Sequence, residues 1–224
     1  MQNRQGDVAY DKLKSDIILG KLPPGTEHTE IGLAETYKMG RAAIRVALTR
    51  LSEIQLVDAI PRRGFIIAPI TARSIRDLFE TRLVVEPRTA YLATGKVDVA
   101  LLKKLNIGLP SEASAKGRLA FLEKNRAFHL AIAEATGNRR LTFLVGSLLD
   151  EMSRLINVGL FGQGPNGTKR DDAHRVQESH HERLITAFEN NDRDSAETSA
   201  REHIEHSHKL AREQILDGEF SIAF

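Results

Sequence analysis

The stretch Gly40-Arg41-Ala42-Ala43-Ile44-Arg45-Val46-Ala47-Leu48-Thr49-Arg50-Leu51, followed by the extended runs Leu56 to Ile60 and Phe65 to Ala68 around Pro61-Arg62-Arg63-Gly64, decides the fold. Ile44, Ala47, Leu48 and Leu51 recur at the i, i+3, i+4, i+7 spacing of one buried helix face. Arg41 and Arg45, four apart, share a different face and point into solvent. The two runs behind them form a small hairpin whose tip carries positive charge. Between Lys38 and Arg63 there are six Lys/Arg (38, 41, 45, 50, 62, 63) against two acids, Glu53 and Asp58. DNA phosphates reward that excess, and side chains at a helix start reach base edges in the major groove. A solvated helix face beside an ordinary surface hairpin gives the same pattern, so this stretch alone leaves both readings open.

Upstream, Val8 to Leu19 predicts a helix with Leu13, Ile17 and Ile18 inward. Gly20-Lys21-Leu22-Pro23-Pro24-Gly25 stops it, because proline cannot continue the hydrogen-bond ladder. Thr29 is placed to cap a short helix through Tyr37, with Ile31, Leu33 and Ala34 available for packing. Three helices and a two-stranded wing make a winged helix-turn-helix over residues 1–69. That is small but within reach of independent folding.

Charge is unevenly spread. Residues 1–70 hold 10 Lys/Arg and 8 Asp/Glu, residues 71–224 hold 22 of each, and seven of the eight histidines lie in the second part. Two domains with two tasks are expected. The absence of cysteine excludes disulfides, thiolate metal sites and a catalytic thiol. The first residues lack the apolar core of a signal peptide, and the longest nearly apolar run, Leu141 to Leu149, is too short to span a bilayer. A soluble cytoplasmic protein is therefore expected.

Pro69-Ile70-Thr71 is a short linker, and residues 70–224 show no strand signal. Helices are expected over 72–94, 99–107, 116–136, 141–160, 169–189 and 192–216, separated by breakers such as Gly108-Leu109-Pro110 and Gly162-Gln163-Gly164-Pro165. Six helices on short connections imply an antiparallel bundle. The fold class is mostly α: an N-terminal winged helix-turn-helix followed by an all-helical domain.

This order of elements resembles the GntR family of bacterial transcription regulators, in the FadR-type branch whose C-terminal half is the all-helical FCD domain. In the first half the resemblance rests on Gly20 to Gly25, Leu33-Ala34-Glu35, Arg41, Ile44-Arg45, Ala47-Leu48, Arg50-Leu51 and Arg62-Arg63-Gly64-Phe65. In the second it rests on Glu80-Thr81-Arg82, Glu86, Phe128-His129, Gly137-Asn138, His181-Glu182-Arg183-Leu184 and Asp192 through His203. It implies DNA contacts by Arg41, Ala42, Arg45 and Arg50 of the recognition helix and by Arg62, Arg63 and Gly64 of the wing. Arg41 and Arg45 would read bases or grip phosphate, while the wing follows the backbone or minor groove. There are departures. Gly40 stands where the family usually has Ser or Thr, Ala42-Ala43 where it has Thr-Pro, and Ile31 where an arginine is common. Glycine caps a helix less well and offers no side chain to a phosphate.

Asn125 and His129, four apart, project from one helix face, and an antiparallel bundle can bring His181 and His203 beside them. Spacing alone makes such histidines packed, hydrogen-bonded residues more often than ligands. The resemblance changes the weighting. Metal-binding FCD domains carry Asp three residues before a Phe-His, then one histidine on each of the last two helices. It therefore implies a divalent Zn, Ni, Co or Mn held by Asn125, His129, His181 and His203. His181 rather than His180 fits, because Leu184, Ile185 and Phe188 follow it at +3, +4 and +7. Asn125 replaces the aspartate, so every protein ligand is neutral, and the ion would keep its full charge for an anionic small molecule. Arg82 matches an arginine that lines the effector cavity of relatives and would hold a carboxylate in bidentate fashion. Its other reading is a salt bridge to Glu86 on an exposed face. Arg154 is a second candidate for that cavity. His206 and His208 are expected on the exposed side of the last helix.

The function expected is a ligand-responsive, DNA-binding transcriptional regulator and not an enzyme. Family habit makes it a repressor. It would act as a homodimer on a short inverted-repeat operator and answer to a small carboxylate effector. Two other classes remain. One is a metal-dependent enzyme with an accessory DNA-binding module, using Glu134 or Glu178 as base, although no His-Glu-x-x-His motif supports it. The other is a DNA-organising protein with an inactive sensor domain.

Overall fold

A computed structural model describes residues 2–106, 115–161 and 179–213 of the chain. It divides into two compact units, one running through Thr71 and the other beginning at Ala72.

In the first unit α1 (Gln2–Ile18), α2 (Glu30–Tyr37) and α3 (Arg41–Glu53) surround one core, closed by strands β1 (Glu27–His28), β2 (Val57–Ile60) and β3 (Gly64–Ile67). The inward positions are those that the helical period selects. Leu13, Ile17, Ile44, Leu48, Leu51 and Leu56 are at most 1% exposed. Burying each such side chain contributes about 1.5–3 kcal/mol. Helix α1 starts six residues before the expected Val8, and Gly6 lies within it, where an added Cβ would stand 3.1 Å from the Val46 side chain. Thr29 caps α2, its hydroxyl accepting the Gly32 N–H at 3.0 Å. Ile31 is a correction to the expected packing. It is 51% exposed, while Leu33 is buried.

The sheet has three strands in the order β1-β3-β2, not the two expected. β2 and β3 pair antiparallel from Val57–Ile67 to Ile60–Gly64, and β1 adds Glu27–Ile66 and His28–Phe65. Two residues are too short to carry an alternating pattern, so β1 leaves no periodic trace in the sequence. Its close approach explains Gly64. With φ at +129°, a Cβ there would overlap the His28 carbonyl oxygen.

The second unit is all-helical over its described residues: α4 (Ala72–Ala93), α5 (Val99–Leu105), α6 (Ala115–Ala135), α7 (Arg139–Phe161), α8 (179–189) and α9 (Arg193–Ala211). The part of the expected 169–189 helix before 179 lies outside the described residues. Helix α4 packs along α9, and α6 along α7. The core gathers Ala93, Leu102, Phe128, Ile132, Leu184 and Phe188. Gly95, at φ +80°, ends α4; Asp98 and Asp192 cap α5 and α9. Pro87, which brings no N–H, is accommodated within α4. No helix among the described residues is long and apolar enough to cross a membrane.

Candidate functional site

In the first unit Arg41, Ala42 and Arg45 are exposed on α3, and Ala43, Ile44, Ala47 and Leu48 are buried behind them. Gly40 is the N-cap of α3 and makes no side-chain cap bond. Arg45 is not a free cation. Its Nε donates to both Glu30 carboxylate oxygens, at 2.9 and 3.1 Å, and its Nη2 to one of them at 2.7 Å. That hydrogen bonding, reinforced by the charges of Arg45 and Arg41, holds the Glu30 carboxyl below the usual carboxylate range. Arg63 pairs with Glu27 at 3.0 Å at the wing. Arg41 and Arg62 make no ion pair among the described residues, and Arg62 occupies a left-handed turn at φ +64°.

Arg50 and Gly64 have structural explanations. Arg50 donates to Asp7 at 2.7 Å and lies 4.0 Å over the Tyr10 ring, fastening α3 to α1. Gly64 is required by the approach of β1. The resemblance implies a DNA contact for each; local packing accounts for both positions as well.

In the second unit His129 on α6, His181 on α8 and His203 on α9 come together, buried to 7%, 4% and 4% exposure, with one nitrogen of each within 4.8 Å of the others. Rings stack around them. His181 lies on Phe128 with centroids 4.2 Å apart, and His129 on His203 at 5.1 Å. Burial pushes the imidazoles of His129 and His203 well below their ordinary value, and the neighbouring His181 and Arg82 push the same way. Both rings are consequently neutral at pH 7 and carry a lone pair. Nδ1 of His203 is buried without a hydrogen-bond partner among the described residues. Neutral, converging, lone-pair nitrogens are the donor set a borderline transition metal takes. Asn125, one turn before His129, is 8% exposed.

Arg82 is 1% exposed and Glu86 7%, so their ion pair is buried rather than on an exposed face. The Arg82 Nε and Nη2 both donate to Glu86, while Nη1 is buried without a partner among the described residues. Glu86 stands 3.8 Å from Nδ1 of His129. A cavity of about 20 Å³ lies among Glu86, Thr89, His129, Val145, Leu184 and His203. Neither Arg82 nor Arg154 is in its lining, although Arg154 is buried on α7.

His206 and His208 are half-buried rather than on an exposed face: His206 stacks on His180 and His208 on Phe79. His180 accepts from Arg183 at 2.6 Å. Glu134 is exposed, and Glu178 lies outside the described residues. Sequence reasoning missed Asn106, whose Oδ1 lies 3.2 Å from Nδ1 of His181. No pattern flags an asparagine that closes a seven-residue helix and reaches a histidine 75 positions away.

Comparison with known proteins agrees with both halves. The FCD domain matches residues 77–206, and the bacterial regulatory proteins of the gntR family match residues 5–67. The chain is 28% identical over 222 residues to the HTH-type transcriptional regulator LutR of Bacillus subtilis (strain 168), covering 90% of this chain and 96% of that one. It is 28% identical over 155 residues to the HTH-type transcriptional repressor GlaR of Escherichia coli (strain K12), covering 65% and 69%. Its fold is similar to that of E. coli McbR/YncC, with a TM-score of 0.76 at 20% identity over 94% of this chain and 98% of that one. These proteins are transcriptional regulators, not enzymes. The chain belongs to the GntR family, in its FadR-type branch: a DNA-binding transcriptional regulator with an FCD effector-binding domain.

Proposed function

We propose that this regulator binds a short inverted-repeat operator as a homodimer and releases it when a small organic acid enters the FCD domain beside a metal held by histidines. The supporting observation is the buried convergence of His129, His181 and His203 within 4.8 Å, with burial holding His129 and His203 neutral beside the Arg82 guanidinium. These three rings would hold a Zn, Ni, Co or Mn ion, with the Asn125 amide oxygen as a neighbouring donor. Such an ion supplies undiminished positive charge to a carboxylate, because no protein ligand neutralises it. Arg82, whose Nη1 has no partner among the described residues, is the second anion-directed group.

The 20 Å³ beside the histidines holds about one water, too little for an organic acid. In this proposal effector entry widens that space among the described helices. A ligand that fits only the opened arrangement has the differential affinity that coupling to DNA binding demands, and DNA must disfavour that ligand in return. Arg41, Arg45, Arg62 and Arg63 carry the DNA contact, and α3 presents Ala42 at the same surface. Repression is the proposed sign, which the name of the similar GlaR supports; a cytoplasmic location follows from action on DNA.

The test is isothermal titration of the protein with a panel of organic acids, before and after stripping with chelator, followed by gel shift on the neighbouring promoter. Binding of a carboxylate that needs the metal and weakens operator retention is expected. Metal-independent binding of a neutral ligand would contradict the proposal.

A further inference from the structure

We infer that Asn106 is the positioning residue that selects which nitrogen of His181 faces a metal. The inference rests on the metal reading above and extends it to a residue on a different element. Imidazole has two nitrogens, and in its neutral form one carries the proton while the other keeps the lone pair. A metal takes the lone pair, so the remaining nitrogen must be the donor of a hydrogen bond, and its partner sets tautomer and ring angle. Nδ1 of His181 lies 3.2 Å from Oδ1 of Asn106. An amide oxygen only accepts, so Nδ1 carries the proton and Nε2 becomes the ligating atom.

The partner is itself fixed. Asn106 is the C-cap of α5, and its backbone N–H donates to the Leu102 carbonyl at 2.8 Å. Leu102 is fully buried in the core of the same unit. The ring of His181 is restrained on its face as well, by Phe128 stacked at 4.2 Å with 12° between planes. One contact sets the tilt and the other the rotation about it. Histidine ligands commonly donate to a carboxylate, which raises their basicity, or to a carbonyl, which orients them without adding charge. Asn106 is of the second kind. It matches Asn125 in adding no charge of its own, so the orientation of His181 is fixed without neutralising a bound cation.

Long-range ¹H–¹⁵N NMR of the metal-free protein reads the tautomer directly, and zinc titration reads its consequence. In the wild type His181 is expected as the Nδ1–H form, and Asn106→Leu is expected to show mixed tautomers and zinc affinity about 10–100-fold weaker. Asn106→Asp, which still accepts and adds charge, is expected to keep the Nδ1–H form and bind zinc at least as tightly as the wild type. It remains readable where the leucine variant fails to fold. An Nε2–H tautomer in the wild type overturns the inference. So does zinc affinity that Asn106→Leu and Asn106→Asp both leave unchanged while the wild type binds. A wild type that binds no zinc, nickel, cobalt or manganese overturns the metal reading and the positioning role together, and the NMR spectrum tells that failure apart from a wrong tautomer.

Discussion

Glu30 on α2 grips Arg45 on α3 through three hydrogen bonds of 2.7 to 3.1 Å, so a cation placed to meet DNA is already engaged in the free protein. A phosphate or a guanine edge must displace that carboxylate or share the guanidinium with it. Because the Arg45 side chain is 62% exposed and that of Glu30 20%, the pair is open to solvent on the Arg45 side, its own contribution to stability is small, and its effect falls on binding. Glu30→Gln is expected to tighten operator binding severalfold and to steepen its salt dependence, since one more free cation meets the phosphates. Arg45→Ala is expected to cost about 1–3 kcal/mol at the base it reads. Fluorescence anisotropy at several salt concentrations measures both. Weaker binding by the glutamine variant would show that Glu30 orients Arg45 rather than competing for it.

Gly40 offers a gain of function. A Cβ at this position meets nothing within 4 Å, and its backbone is extended, so a side chain enters without strain. Gly40→Ser is expected to stabilise α3 by a few tenths of a kcal/mol as an N-cap. It is also expected to add a phosphate contact. Thermal melting should show a small rise and anisotropy a clear gain in affinity. An unchanged affinity would place the start of α3 away from the phosphates.

Arg50 separates structure from recognition. Its contacts to Asp7 and Tyr10 lie within the protein, so Arg50→Ala is expected to destabilise the first unit by about 0.5–1 kcal/mol. Operator sequence preference should be unchanged. Selection of preferred sites from a randomised duplex pool checks it, and a shifted consensus would return Arg50 to the reading surface.

The buried imidazoles predict a pH dependence with a definite sign. Burial, then neighbouring charge, holds His129 and His203 neutral in the folded chain well below the point where an unfolded histidine, near about 6.5, takes up a proton. The unfolded state therefore binds more protons as pH falls through that value, and stability declines. The metal-free protein is expected to lose up to about 1.4 kcal/mol per histidine for each pH unit below roughly 6, until the folded rings themselves titrate. Chemical denaturation between pH 7 and 5 measures it. His129→Leu should make the slope shallower by the share of one buried ring, and a pH-independent midpoint would contradict the assignment of neutral buried rings.

Much of the fold was legible because helical period and burial coincide. The spacing of Ile44, Ala47, Leu48 and Leu51 predicted a buried face that is at most 1% exposed. Leu184, Ile185 and Phe188 selected His181 over His180 by the same argument, and all three are buried. What stayed hidden depends on contacts without periodicity. Strand β1 is held by backbone pairing alone, and the Arg45–Glu30 pair joins residues 15 apart on different helices. Ile31 carries an apolar side chain outward at a place where period alone would turn it in. The Arg82–Glu86 spacing revealed the pair but not that it lies inside the domain, since i, i+4 neighbours look alike on a buried and an exposed face.

The measurement that bears most directly on the histidine-held metal is the metal content of the purified protein after extensive dialysis. One divalent transition-metal ion is expected to be retained per chain, and to be lost when His129, His181 and His203 are changed together to alanine. A wild type that retains no such ion, or retains as much as the triple variant, would contradict it.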